Sequence, residues 1–256
     1  MPQIKRDGIA IHYEARGAGP AVLFTHGYCA SARMWTPQLE ALSDRFRVIA
    51  WDLRGHGASD APEDPALYSE AACIEDMDAV LHAAGAGDAP AVIAGHSLGG
   101  YLSLAFRQAR PERTRALMLF STGPGYRRDE ARANWNAYAE KQARRYEERG
   151  LEAVPDGAMT AGAGHRSARG LALAASGILV QRDARVIDGL PAVDVPTLVL
   201  VGARDERYFA GTDHMAAKIP GARKVLVEDA GHAVNLEQPA AFDAALVDFL
   251  DALGPA

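Results

Sequence analysis

The chain has 256 residues, 48% of them hydrophobic and 23% charged, and its 27 basic and 33 acidic side chains leave a net charge of −6. That is enough apolar material for one substantial core carrying an inserted subdomain. No basic stripe marks a nucleic-acid partner, and no window approaches the roughly 18 apolar residues of a membrane helix, so the expected partner is a small molecule.

In chain order, residues 4–14 read as two short strands around Asp7-Gly8, a favourable hairpin turn. His12, on the second strand, is expected to be partly exposed. The start of the chain lacks the apolar core of a signal peptide. Cys29 and Cys73 read as free thiols, which suits a cytoplasmic protein. Ala21–Thr25 is an apolar strand of the kind buried on both faces, and it runs into His26-Gly27-Tyr28-Cys29. A helix is expected over 34–42 and a buried strand over 46–51. The polar, glycine-rich loop Asp52-Leu53-Arg54-Gly55-His56-Gly57-Ala58-Ser59 comes next, then an amphipathic helix over 68–84.

The run Ala91-Val92-Ile93-Ala94-Gly95-His96-Ser97-Leu98-Gly99-Gly100 has the most chemical content. A strand stops at a glycine, a serine follows, and 102–110 read as a helix. Gly-x-Ser-x-Gly in that setting is a nucleophile elbow. The turn is tight enough to place the serine at positive φ, a strained conformation for a residue with a side chain. It leaves the Ser97 hydroxyl bare. The Leu98 amide, first in its helix and without an internal partner, is free to bind an oxyanion.

Beyond the elbow, a strand is expected over 116–120, and the strand–helix alternation then breaks at Gly123-Pro124-Gly125. It resumes with a strand over 195–201, a helix near 214–218, a strand over 224–227 and a last helix over 239–253. This alternation argues for a mostly parallel sheet covered on both faces. The intervening segment reads as an inserted helical unit. Its first helix, 127–150, carries Trp135, Tyr138, Gln142 and Tyr146 on one face at three- and four-residue steps. That stripe either packs on the main domain or roofs a pocket. A second helix is expected over 171–180.

With these features, the chain resembles the α/β-hydrolase fold superfamily, in its cap-bearing serine branch of esterases, enol-lactonases and menaquinone-pathway synthases. The resemblance covers all but about 124–190. It implies an α/β core domain over 1–123 and 191–256, with 124–190 as a helical cap.

A serine hydroxyl needs a base, and the base needs an orienting carboxylate. In this fold the chain order is Ser, acid, His. Val201-Gly202-Ala203-Arg204-Asp205 supplies Asp205 after a strand, with Glu206 and Asp229 as competitors. Asp229-Ala230-Gly231-His232 supplies His232, and Gly231 is expected to permit a sharp turn. The catalytic reading is therefore Ser97, Asp205 and His232.

By resemblance, the Tyr28 amide joins that of Leu98 in the oxyanion hole, and Asp52 and Arg54 brace loops. His26 and His96 are expected to be structural, and Cys29 to be packing. His56, His82, His165 and His214 are ordinary surface or packing residues. No cluster has metal-ligand spacing, and no cofactor is expected.

A serine elbow points to acyl chemistry on a small or medium carboxylic ester or lactone, not to the carboxylate attack of dehalogenases and epoxide hydrolases. Carbon–carbon bond hydrolysis and synthase-like elimination are the enzyme alternatives, and a receptor that keeps the triad for ligand binding is the other class. Synthases of the superfamily carry an arginine directly after Ser-Leu-Gly-Gly, where this chain has Tyr101. Tyr101, Trp135 and Tyr138 are the candidate substrate-binding side chains. A pocket floored by Tyr101 favours a neutral acyl group, unless Arg127, Arg128 or Arg166 of the insertion enters it.

Overall fold

The computed structural model describes residues 2–254; Met1, Pro255 and Ala256, the outermost residues of the expected core segments, lie outside it. The chain opens with β1 (Gln3–Arg6) and β2 (Ile9–Arg16), an antiparallel hairpin. Its turn is Asp7-Gly8, both at positive φ (53° and 79°), as a two-residue turn matched to strand twist requires. Next come β3 (Ala21–Thr25), α1 (Thr36–Leu42), β4 (Arg47–Trp51), α2 (Glu70–Leu81), β5 (Ala91–His96), α3 (Leu98–Ala109) and β6 (Thr114–Phe120). An excursion then carries α4 (Asp129–Arg149), α5 (Ala168–Ala174) and α6 (Arg185–Asp188). The alternation resumes with β7 (Thr197–Gly202), α7 (Glu206–Lys218), β8 (Arg223–Val227), α8 (Val234–Glu237) and α9 (Pro239–Ala252).

The eight strands form one sheet in the order β1-β2-β4-β3-β5-β6-β7-β8. Among the described strands β2 runs against the others, antiparallel to both β1 and β4, while β4, β3, β5, β6, β7 and β8 pair successively in parallel. The continuous apolar runs of the central strands follow from this. Side chains alternate across a sheet, and here both faces are covered. Leu23, Ile93, Leu117, Leu119 and Val199 pack into one core with α2 and α3. Phe24, Ala94, Met118, Phe120 and Leu200 pack into the other with α1 and α9.

His12 departs from expectation. It is 3% exposed, because the loop after β4 folds back over β2. The Asp52 amide donates to the His12 carbonyl (3.0 Å), and the His12 amide donates to Ser59 Oγ (2.9 Å). That loop is braced from within. Asp52 accepts from the Ala32 and Ala58 amides. Arg54 makes a two-pronged ion pair with Asp76 (2.6 and 2.8 Å), both buried.

The join of β5 to α3 is a very tight backbone approach. A Cβ on Gly95 would lie 2.2 Å from the Gly99 carbonyl, and one on Gly99 would lie 2.2 Å from the Thr25 carbonyl. In neither case can backbone move aside. Gly95→Ala is therefore expected to destabilise the fold by about 2–3 kcal/mol, the scale of overpacking a core. Urea unfolding measures it, and an unchanged midpoint would show that this contact does not set the spacing of β5 and α3.

Candidate active site

Strand C-termini are where an open parallel sheet presents its chemistry. Ser97 follows β5 directly, with φ 53° and ψ −116°. The strain is held from several sides. The Ser97 amide donates to the Phe120 carbonyl (2.9 Å). Its carbonyl accepts from the Gly100 amide (3.0 Å) and from the Thr122 hydroxyl (2.6 Å).

Asp205 ends the loop after β7 and is buried; His232 ends the loop after β8. His232 Nδ1–H donates to Asp205 Oδ2 at 2.8 Å. Asp205, and neither Glu206 nor Asp229, thus meets the imidazole. Asp229 sits at positive φ, with its carbonyl accepting from Arg204 and from Gln238.

The turn at His232 needs no positive φ at Gly231, where a Cβ would lie 3.1 Å from the Glu237 carboxylate. Glu237, on α8, grips the turn. Its carboxylate accepts from the Gly231 amide (2.7 Å) and the Ala233 amide (3.0 Å), one on each side of His232. His96 lies beneath, its ring 4.6 Å from that of His232, with Nε2–H donating to the His232 carbonyl (2.7 Å). Burial pushes the His96 pKa well down, so the ring stays neutral as a support.

The loop after β3 comes up beside Ser97. The Leu53 amide donates to His26 Nε2 (3.0 Å), which fixes the proton on Nδ1, and Nδ1–H donates to the Gly27 carbonyl (2.7 Å). Burial, the largest influence, lowers the His26 pKa to about 4. His165, from the insertion, accepts from the Gly57 amide (3.1 Å) and donates to the Cys29 carbonyl (2.9 Å). Its ring packs against fully buried His56, whose ring in turn meets the Tyr28 ring edge-on. These two histidines are less ordinary than the sequence implied, since they hold the Tyr28–Cys29 segment in place. Cys29 Sγ lies 2.8 Å from the Tyr146 hydroxyl, and burial pushes its thiol up to about 12, which makes it unreactive packing at neutral pH. Among the described residues no backbone acceptor takes the Tyr28 amide, and the Leu98 amide opens α3.

Between the sheet and the insertion is a cleft with two lobes that share Ser97, Trp135, Leu179, Arg207 and Tyr208. Their cavity volumes are about 150 and 350 Å3, room for a small ligand. Tyr101 lines the first lobe; Tyr28, Tyr138, Gln142 and His232 line the second. The aromatic stripe of α4 thus serves both expected roles. Tyr146 is buried packing at the edge of the second lobe, while Trp135 and Tyr138 face the cleft, with the Trp135 indole N–H donating to the Leu179 carbonyl (2.7 Å). The Tyr101 hydroxyl is engaged, donating to Glu70 (3.1 Å).

Two side chains at the site escaped the sequence reading. Tyr208 lies flat on His232, ring centroids 4.7 Å apart and planes 19° apart, with its hydroxyl 3.4 Å from Ser97 Oγ. Arg207 stands over Trp135 and Tyr138. The arginines named as possible entrants are elsewhere or neutralised. Arg127 pairs with Asp188 (2.6 Å), Arg166 donates to the Ala58 and Ser59 carbonyls, and Arg128 lines neither lobe.

A doubly covered, mostly parallel sheet with its polar side chains gathered at strand C-termini defines an α/β enzyme. The chain belongs to the alpha/beta hydrolase family, whose model matches residues 22–245. A thermophilic esterase from Thermogutta terrifontis, solved with malate bound, superposes with a TM-score of 0.82 at 30% identity, over 99% of each chain. The enol-lactonase from Burkholderia xenovorans gives 0.78 at 26%, over 98% of this chain and all of its own. Among sequences, a putative 2-succinyl-6-hydroxy-2,4-cyclohexadiene-1-carboxylate synthase of Bacillus subtilis is 29% identical, over 96% of this chain and 97% of its own. No helix among the described residues is long and apolar enough to cross a membrane.

Proposed function

We propose that this hydrolase is a serine enzyme that cleaves a small or medium carboxylic ester or lactone through an acyl-enzyme. The observation that carries the reading is the 2.8 Å bond from His232 to buried Asp205 on the rim of the cleft that exposes strained Ser97.

Ser97 Oγ attacks the carbonyl carbon and gives its proton to His232 Nε2. Asp205 keeps Nδ1 protonated, so that Nε2 is the basic nitrogen, and stabilises the imidazolium that forms. The Leu98 and Tyr28 amides receive the oxyanion. The C–O bond to the alcohol breaks as His232 returns the proton to the leaving oxygen. Water, deprotonated by the same nitrogen, then releases the acid and restores Ser97. Residues 124–190 act as a cap over a core of 1–123 and 191–256, with Trp135, Tyr138 and Tyr101 shaping the space for substrate.

Labelling with a fluorophosphonate tests the serine. We expect one adduct per chain, on the Ser97 peptide, with parallel loss of turnover of ethyl butyrate. An adduct on another residue, or an unlabelled protein that hydrolyses esters, would refute the reading.

A further inference from the structure

The sequence pointed to a neutral pocket because Tyr101 carries no charge. The structure adds a cation from another element. Arg207, in the first turn of α7, lines both lobes of the cleft, and among the described residues no lysine or other arginine lines either. Its guanidinium carbon lies 4.9 Å from the Tyr138 ring centre and 5.6 Å from that of Trp135, within the range of cation–π attraction. The Trp135 platform is itself anchored by its bond to the Leu179 carbonyl and by contact with Tyr126.

A cation–π contact is not a hydrogen bond to an acceptor, so the five N–H donors of the guanidinium remain available to one. Some arginines of the insertion are matched to carboxylates, Arg127 to Asp188, Arg169 to Glu147 and Arg185 to Glu70, and none of these three lines the cleft. Arg207 has no carboxylate or hydrogen-bond acceptor among the described residues, and it is exposed. A positioned, unneutralised guanidinium lining the same cleft as Ser97, at the positive end of α7, is suited to receive an anion.

We propose that Arg207 is a specificity-determining residue that binds a carboxylate on the substrate, so that the preferred ester or lactone is a half-ester or its equivalent, with one free carboxylate near the scissile carbonyl. The proposal rests on the serine-hydrolase reading for the chemistry, but not for the binding. It reverses the preference inferred from Tyr101 alone. Arg207 takes no proton and forms no covalent bond; it orients the anion by a two-pronged hydrogen bond.

The test compares monoethyl succinate with ethyl butyrate, matched in length and different in charge, and monoethyl glutarate with ethyl valerate. The wild type is expected to favour each half-ester at least about tenfold in kcat/KM. Arg207→Gln is expected to lower the ratio of half-ester to neutral ester at least about tenfold, Arg207→Lys to restore part of it, and 0.5 M salt to depress it in the wild type by screening. Equal treatment of both esters by the wild type would overturn the proposal. So would an Arg207→Gln variant that slows both by the same factor, since that describes a latch holding the insertion.

Calorimetry on Ser97→Ala, where nothing turns over if the serine reading is right, gives a second readout. Monoethyl succinate should bind at least tenfold more tightly than ethyl butyrate, and Arg207→Gln should remove the difference. Turnover surviving in Ser97→Ala would refute the serine assignment and leave the Arg207 ratio to be judged separately. Absence of anion-selective binding with Ser97 confirmed as nucleophile would refute the Arg207 assignment alone.

Discussion

Ser97→Ala is expected to lower kcat on ethyl butyrate by on the order of 10⁶, the cost of removing the nucleophile from a serine–histidine–aspartate unit. The fold should survive. Alanine occupies the same strained backbone as serine and removes one oxygen, whose nearest polar contact is the long 3.4 Å approach of Tyr208. The bonds that hold the elbow run through the Ser97 amide and carbonyl, which the substitution keeps. The unfolding free energy from urea titration should therefore stay within about 0.5 kcal/mol of wild type, as for changes away from packed features. A variant retaining a tenth of the wild-type rate would sink the assignment of Ser97, because the oxyanion donors and the cleft are left intact and cannot alone supply that much.

The parts of this site legible in the sequence are those where chain geometry leaves one solution. Residues 91–95 had to be a buried strand, because every residue is apolar or small. The glycines around Ser97 had to mark a close approach, because only a missing Cβ fits there. Asp205 and His232 each follow a strand whose length and composition are plain. Arg207 and Tyr208 were not legible for one local reason. The helix that carries them was expected near 214–218, yet it begins at Glu206. Gly211 sits inside it, which weakens the helical signal. In the fold that glycine serves packing: a Cβ there would lie 3.1 Å from the Gly123 Cα, so α7 can lie against the loop after β6. Once α7 starts at Glu206, Arg207 and Tyr208 fall on its first turn, beside the acid. The burial of His12 and the bridge of His165 depend on contacts distant in sequence (|i−j| of 47 at His12 and 136 at His165), which no local pattern encodes.

Asp205→Asn should also be severe, and it separates the acid from its competitors. The carboxylate accepts Nδ1–H of His232 at 2.8 Å and so leaves Nε2 bare to take the proton of Ser97. An amide in its place can turn its NH2 toward Nδ1, which drives the imidazole to the tautomer with the proton on Nε2. That nitrogen then cannot act as a base. The amide also carries no charge to stabilise the imidazolium. The loss expected in kcat is about 10⁴, the scale seen when this change is made in a serine protease. Wild-type kcat/KM should fall as pH is lowered, because a protonated His232 cannot accept from Ser97. In Asp205→Asn the residual rate should rise with hydroxide as solvent takes over the role of base. Fluorophosphonate labelling should slow in step with ester turnover, since both require the activated hydroxyl. Glu206→Gln and Asp229→Asn serve as controls, for neither side chain meets His232, and each should retain at least about half of the wild-type kcat/KM. If Glu206→Gln or Asp229→Asn proved more damaging than Asp205→Asn, the acid would have to be reassigned, and the 2.8 Å bond would then be a structural contact only.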